Sequence, residues 1–166
     1  MDELNGNKNE IICIYNKQDD EINLLHDYEE ENWIDYGKAK FNINGNNIDI
    51  YINDKKIEFN YKYKSNERSN IQVKYIFNKL LTSTCFMFRK CSSLQSIDLS
   101  SFNTINVKNM YRMFQNCSSL QSIDLSSFNT TNVKEMRSMF RRCPHLKKEN
   151  VKISNYGKKL LDGECW

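Results

Sequence analysis

Apolar residues follow two different periods along this chain of 166 residues. Between residues 10 and 77 they alternate with polar residues, which predicts β-strands with one buried face. Ile48 to Ile52 and Ile57 to Tyr63 alternate on either side of a polar break at 53–56, so we expect a β-hairpin there. Other expected elements are strands at Glu10–Tyr15, Glu21–Leu25, Ile71–Phe77 and around Phe41 and Ile43, and a short helix or acidic loop at Asp27–Trp33.

The second half of the chain contains an internal repeat. Residues 91–116 read CSSLQSIDLSSFNTINVKNMYRMFQN and residues 117–142 read CSSLQSIDLSSFNTTNVKEMRSMFRR, so 20 of 26 positions are identical. The register continues as a degenerate half-unit on each side, for example from Met113 and Phe114 back to Met87 and Phe88. A fixed period of this length is typical of repeat architectures.

Each repeat unit combines both periods. Leu94, Ile97 and Leu99 have the spacing of a short strand, whereas Val107, Met110, Met113 and Phe114 recur as on one face of a helix. One unit cannot bury both apolar faces, so neighbouring units must stack. The sequence therefore predicts an α+β fold, with a small antiparallel β cap at residues 1–75 and a strand-turn-helix solenoid with a parallel strand ladder at residues 76–166.

The string C-S-S-L-x-x-I-D-L-S-x-F-N-T-x-N-V-x-x-M-x-x-M-F resembles the BspA-type leucine-rich repeats of bacterial, mycoplasmal and protist surface proteins. The resemblance covers about residues 84 to 146. It implies a surface or interaction protein, and the family offers no enzymatic motif to transfer to this chain.

Composition and charge narrow the class of protein further. No stretch approaches the ~20 apolar residues of a membrane-spanning helix, and the polar first residues lack the pattern of a secretory signal. As written, the chain is expected in the cytoplasm, or at the cell surface if its N-terminus is incomplete. The net charge of +3 combines an acidic region at residues 1–36 with a basic region at residues 137–159.

The repeat predicts a candidate binding face. Asp98 and Asp124 occupy the same position in the two units and alternate with the inward Leu and Ile residues, so they should point outwards. Serines flank each of them. The predicted ladder face consists of Ser96, Asp98, Ser100, Ser122, Asp124 and Ser126; its alternative interpretation is an ordinary solvated β-face.

A second candidate surface is a basic patch at Arg137, Arg141, Arg142, Lys147 and Lys148. Such a patch can contact phosphate, but few aromatics are interleaved and no nucleic-acid-binding signature is present, so nucleic acid is not the favoured ligand. Contact with an acidic protein, or with the acidic region of the same chain, is an open alternative.

Nothing in the sequence favours catalysis, a metal or a cofactor. Cys91, Cys117 and Cys143 share one repeat position and are expected to form a buried column of reduced thiols. Their spacing is not that of a zinc site, and His26 and His145 lie in different regions. Phosphate-binding glycine loops and nucleophile motifs do not occur.

We therefore expect a non-enzymatic protein-interaction module that binds a protein partner through the ladder face. Two alternatives stay open. The chain is a structural subunit that docks on a larger assembly, or on RNA, by its basic region; or it is a cell-surface adhesin preceded by a signal sequence.

Overall fold

The computed structural model describes residues 9–16, 20–27, 43–64, 66, 69–154 and 165–166. Its largest element is a five-stranded antiparallel sheet. In sheet order the strands are β4 (Lys55–Ile57), β3 (Ile48–Ile52), β6 (Ile71–Phe77), β1 (Glu10–Tyr15) and β7 (Leu94–Asp98). A separate antiparallel pair joins β2 (Glu21–Asn23) to β5 (Lys62–Lys64).

The predicted strands at Glu10–Tyr15 and Ile71–Phe77 are confirmed, and the one expected at Glu21–Leu25 ends at Asn23. The hairpin is present, but its second strand is Lys55–Ile57, which begins within the predicted polar break, and not Ile57–Tyr63. The hairpin between β3 and β4 turns at Asn53 and Asp54, and both have positive φ (46° and 64°). Asn and Asp tolerate this conformation better than most residues, which suits a two-residue hairpin turn. The expected helix or loop at Asp27–Trp33 lies mostly outside the described residues, as does Phe41, and Ile43 is not in a strand.

The large sheet combines strands from both halves of the chain. β7, the strand of the first repeat unit, pairs antiparallel with β1, from Ile12 opposite Asp98 to Tyr15 opposite Leu94. β8 (Ile123–Leu125), the equivalent strand of the second unit, instead pairs in parallel with β9 (Val151–Ile153). The expected division into regions 1–75 and 76–166 stays a prediction.

The predicted helices are wrong. Residues 84–93, 110–119 and 136–145, which we call the turn segments, form successive tight turns. Alternate amides close these turns, as where Met113 N–H donates to Met110 O at 3.2 Å. The amides between them donate to the next unit, as where Phe88 N–H donates to Met113 O at 2.9 Å and Phe114 N–H to Met139 O at 3.0 Å. An α-helix would direct every amide to the residue four positions earlier.

Left-handed residues make this alternation possible. Each turn segment has two, at equivalent positions: Phe86 and Lys90, Arg112 and Asn116, and Ser138 and Arg142, with φ from 53° to 64°. For a residue other than glycine this conformation costs roughly 1–2 kcal/mol. The hydrogen bonds to the neighbouring unit hold the chain in it.

The predicted fold class must therefore be corrected. In the described part of the chain the only helical element is the 3₁₀ turn Lys148–Asn150, and most strand pairs are antiparallel. β7 and β8 belong to different sheets, so the repeats do not form one continuous parallel ladder. The structure is mainly β, and the solenoid and leucine-rich-repeat interpretation is wrong.

Stacked aromatic side chains run through the repeat half. The rings of Phe88 and Phe114 are nearly parallel with centroids 5.5 Å apart, and those of Phe114 and Phe140 are 5.8 Å apart. Trp166 extends the series at 5.5 Å from Phe140, and Phe140 N–H donates to Cys165 O at 2.8 Å. Cys165 and Trp166 thus stand one 26-residue period after Met139 and Phe140, at the repeat positions of a further unit that is otherwise degenerate.

The aromatic stack should contribute strongly to stability. Phe114 is fully buried between two other rings, so Phe114→Ala should lower the free energy of unfolding by about 3–5 kcal/mol in a urea titration. Ile105, which is 45% exposed, offers a control: Ile105→Ala should change it by less than about 0.5 kcal/mol. Equal effects of the two substitutions would contradict the stack.

Candidate functional site

The ladder face is a row of exposed polar residues on the two repeat units. All six of its residues, Ser96, Asp98, Ser100, Ser122, Asp124 and Ser126, are solvent-exposed. Leu94 and Leu125, which lie in the same two strands, and Leu99, which directly follows the first of them, are buried. The predicted outward orientation of the two aspartates is therefore confirmed, whereas a binding role for them is a separate question.

Each aspartate is fixed by the serine two residues later. Ser100 N–H donates to Asp98 Oδ1 at 2.9 Å, and Ser126 N–H donates to Asp124 Oδ1 at 2.9 Å. These bonds favour the charged form. The backbone N–H and hydroxyl of Ser100 lower the pKa of Asp98, and the hydroxyl and N–H of Ser126 lower the pKa of Asp124. Both carboxylates are thus negative at neutral pH and point in fixed directions.

A small cleft lies between the two units at this face. It has a volume of about 280 Å³ and is lined by Ile97, Asp98, Leu99, Ser100, Asp124, Ser126 and Ser127. Four of the six predicted residues line it, whereas Ser96 and Ser122 do not. Ser127 was not predicted; its hydroxyl donates to Leu99 O at 3.0 Å and so links the two units beside the cleft.

A cation of the protein itself approaches this cleft. Lys152 Nζ lies 3.9 Å from Asp124 Oδ2, and both side chains are well exposed, at 75% and 58%. A pair this long and this exposed contributes little to stability. The pair shows, however, from which side a positively charged group can approach Asp124.

The predicted basic residues have different environments. Arg137 is held by Glu135, with Nη2 to Oε2 at 2.8 Å, and Lys148 Nζ lies 5.7 Å from the ring centre of Trp166. Arg141 and Lys147 are exposed, and Arg142 lines a second cleft with Lys90. Arg137 is thus engaged in an ion pair within its own unit.

The cysteines are core residues. All six are free thiols and buried, so the expected column of Cys91, Cys117 and Cys143 is confirmed. Cys117 Sγ and Cys143 Sγ each donate to a carbonyl of the preceding unit, Phe88 O at 3.1 Å and Phe114 O at 3.0 Å. Burial raises the pKa of Cys143 to about 11 and that of Cys85 to about 12, so these thiols stay protonated and unreactive at neutral pH.

The part of the chain that the structure describes contains neither a metal-ligand cluster nor a membrane-spanning helix. Among the described residues, no three His, Cys, Asp or Glu side chains come together as metal ligands. None of the helical structure in that same part of the chain is long and apolar enough to cross a bilayer.

Fold and surface together define a β-rich repeat protein with two clefts on its repeat units. Residues 55–159 match the family described as "Mycoplasma protein of unknown function, DUF285", and the chain belongs to that family. The resemblance noted in the sequence is thus confirmed as far as a mycoplasmal family, but not as a BspA-type or leucine-rich-repeat family. Comparison with curated proteins and with solved structures finds no match.

Buried thiols should make the protein sensitive to alkaline pH. Burial raises the pKa of Cys117 well above its usual value, whereas an unfolded chain ionises its thiols near pH 8.5. Above that pH the unfolded chain binds fewer protons than the folded one, so stability falls by up to about 1.4 kcal/mol per pH unit for each such thiol. Urea titrations between pH 9 and 10.5 should show a shallower loss in Cys117→Ala than in the wild type; identical slopes would contradict the assignment.

Proposed function

We propose that the protein is a non-enzymatic interaction module whose ladder face binds a protein partner through basic side chains. The observation that carries this proposal is the cleft between the repeat units, which two fixed carboxylates line from equivalent positions. Asp98 and Asp124 each present a negative carboxylate, so both positions can pair with a positively charged group.

The cleft has the features of a recognition site for lysine or arginine. The hydroxyls of Ser100 and Ser126 bond to the carboxylates and keep lone pairs that can accept a hydrogen bond from a basic side chain. The partly exposed Ile97 lines the same cleft, and it suits the aliphatic stem of a long basic side chain. A charged end and an apolar stem are what distinguish lysine and arginine from a simple cation.

The spacing of the units favours an extended partner segment. Equivalent rings in neighbouring units are 5.5–6.1 Å apart. Alternate residues of an extended chain lie on one side at intervals of roughly 6.6 Å. A segment with basic residues at alternate positions therefore presents its charges at nearly the interval of the units.

Lys152 acts as an internal competitor in this scheme. Its ammonium group approaches Asp124 from solvent, and a partner's basic side chain would replace it. The exchange costs little because the internal pair is weak and exposed.

The proposal predicts a charge-specific loss of binding. The probe is a short peptide with two lysines at alternate positions, and its affinity for the full chain is measured by isothermal titration calorimetry. The double substitution Asp98→Asn and Asp124→Asn should weaken binding about five- to thirtyfold, since it removes two partly exposed charge contacts. Lys152→Ala should strengthen it.

Glu149→Gln is the matched control, because Glu149 is an exposed acid of the repeat half that does not line the cleft. It should leave the affinity within about twofold. If Glu149→Gln weakens binding as much as the double substitution, the peptide responds only to net charge and the proposal fails. A peptide with glutamates in place of the lysines should not bind.

A further inference from the structure

A second cleft crosses the repeat units at the turn segments. It has a volume of about 620 Å³ and is lined by Lys90, Ser92, Asn116, Ser118, Arg142 and Pro144. This size lies within the range of small-ligand sites. None of its residues belongs to the ladder face, so its chemistry is independent of the function proposed above.

The cleft is built from two rows of equivalent residues. Lys90, Asn116 and Arg142 occupy one position of the repeat, and Ser92, Ser118 and Pro144 the position two residues later. The first row is left-handed throughout, with φ of 64°, 63° and 60°. The same backbone conformation at each position directs the three side chains the same way, so they form one wall.

Hydrogen bonds between units hold both walls in place. Lys90 N–H donates to Gln115 O at 2.8 Å, and Asn116 N–H donates to Arg141 O at 3.0 Å. On the other wall, Ser118 Oγ donates to Ser92 O at 3.3 Å. The cleft is therefore a consequence of the stacking of the units and not of a loop.

The polar groups of the cleft are mainly donors. An ammonium, a guanidinium, an amide and two hydroxyls line it, and no carboxylate does. The turn segments contain no Asp or Glu. Arg137 is paired with Glu135 and Arg89 is buried against Gln115, so the cations that line the cleft are Lys90 and Arg142. Lysine and arginine together with hydroxyl and amide donors are the groups that bind phosphate.

We propose that this turn-segment cleft binds a tetrahedral oxyanion, carried by a phosphate or sulfate ester. Lys90 and Arg142 stand at opposite ends of the first row, with Asn116 between them. Since neighbouring units are 5.5–5.8 Å apart in the aromatic stack, the two long side chains span two such intervals. They can therefore contact one oxyanion above Asn116 from both sides.

The repeat itself supplies the variants for a test. Asn occupies the equivalent position in the first unit and tolerates the left-handed conformation. Arg142→Asn and Lys90→Asn therefore remove a charge without straining the turn, and their melting temperatures should stay close to that of the wild type. Lys134→Asn, at an exposed lysine of the same unit outside the cleft, is the matched control.

Inorganic pyrophosphate and a sulfated disaccharide serve as the two probes, with the full chain studied by calorimetry and amide chemical shifts. Each single substitution in the cleft should weaken binding about three- to tenfold, and the shifts should concentrate at Asn116 and Ser118. Preference for one probe would identify a phosphate or a sulfate source. Three results would overturn the proposal. The variant with both Lys90→Asn and Arg142→Asn binds the probes as well as the wild type does, or Lys134→Asn loses as much affinity as the cleft variants. The third is that oligoglutamate binds more strongly than both probes.

Discussion

Every buried backbone amide needs an acceptor, and the turn segments meet this requirement in an unusual way. One amide closes a turn within its own unit and the next donates to the unit that follows, as Met113 and Phe114 do. A unit on its own would leave half of these donors unpaired, at a cost of about 1–3 kcal/mol for each one that is buried. The repeat half therefore depends on stacking for its backbone as well as for its core.

The hydrogen bonding between units also determines which surface side chains come together. Because the same hydrogen bonds recur from one unit to the next in a constant register, side chains at equivalent positions follow one another in rows. Asp98 and Asp124 come together at one cleft, and Lys90 and Arg142 line another. In the core, the cysteines and phenylalanines of the repeat form rows as well, and Cys117 and Cys143 donate to carbonyls of the preceding unit. A small change of residue at one repeat position thus changes a whole row.

Alternation along the sequence predicted most strands of the first half and the outward aspartates, because a period of two depends only on which face is buried. The shared repeat position predicted the buried cysteines. It could not predict the turn segments. Val107, Met110 and Met113 have helical spacing, but this spacing also fits tight turns with left-handed residues at Arg112 and Asn116. Glycine normally signals such turns, and none occurs there. Cys165 and Trp166 lie one 26-residue period after Met139 and Phe140, but the residues before them diverge from the repeat, so the pattern did not reveal their contribution.

The two repeat units also differ in an informative way. The units differ at six positions, and four of these lie in the turn segments. The second unit has Arg137 in place of Tyr111, Ser138 in place of Arg112, Arg141 in place of Gln115 and Arg142 in place of Asn116. The exposed ladder-face serines and aspartates are identical, although packing does not require it. One surface therefore repeats the same chemistry at each unit and suits a ligand with regular spacing. The turn segments change from unit to unit, so their cleft has distinct ends and suits a single, compact anion.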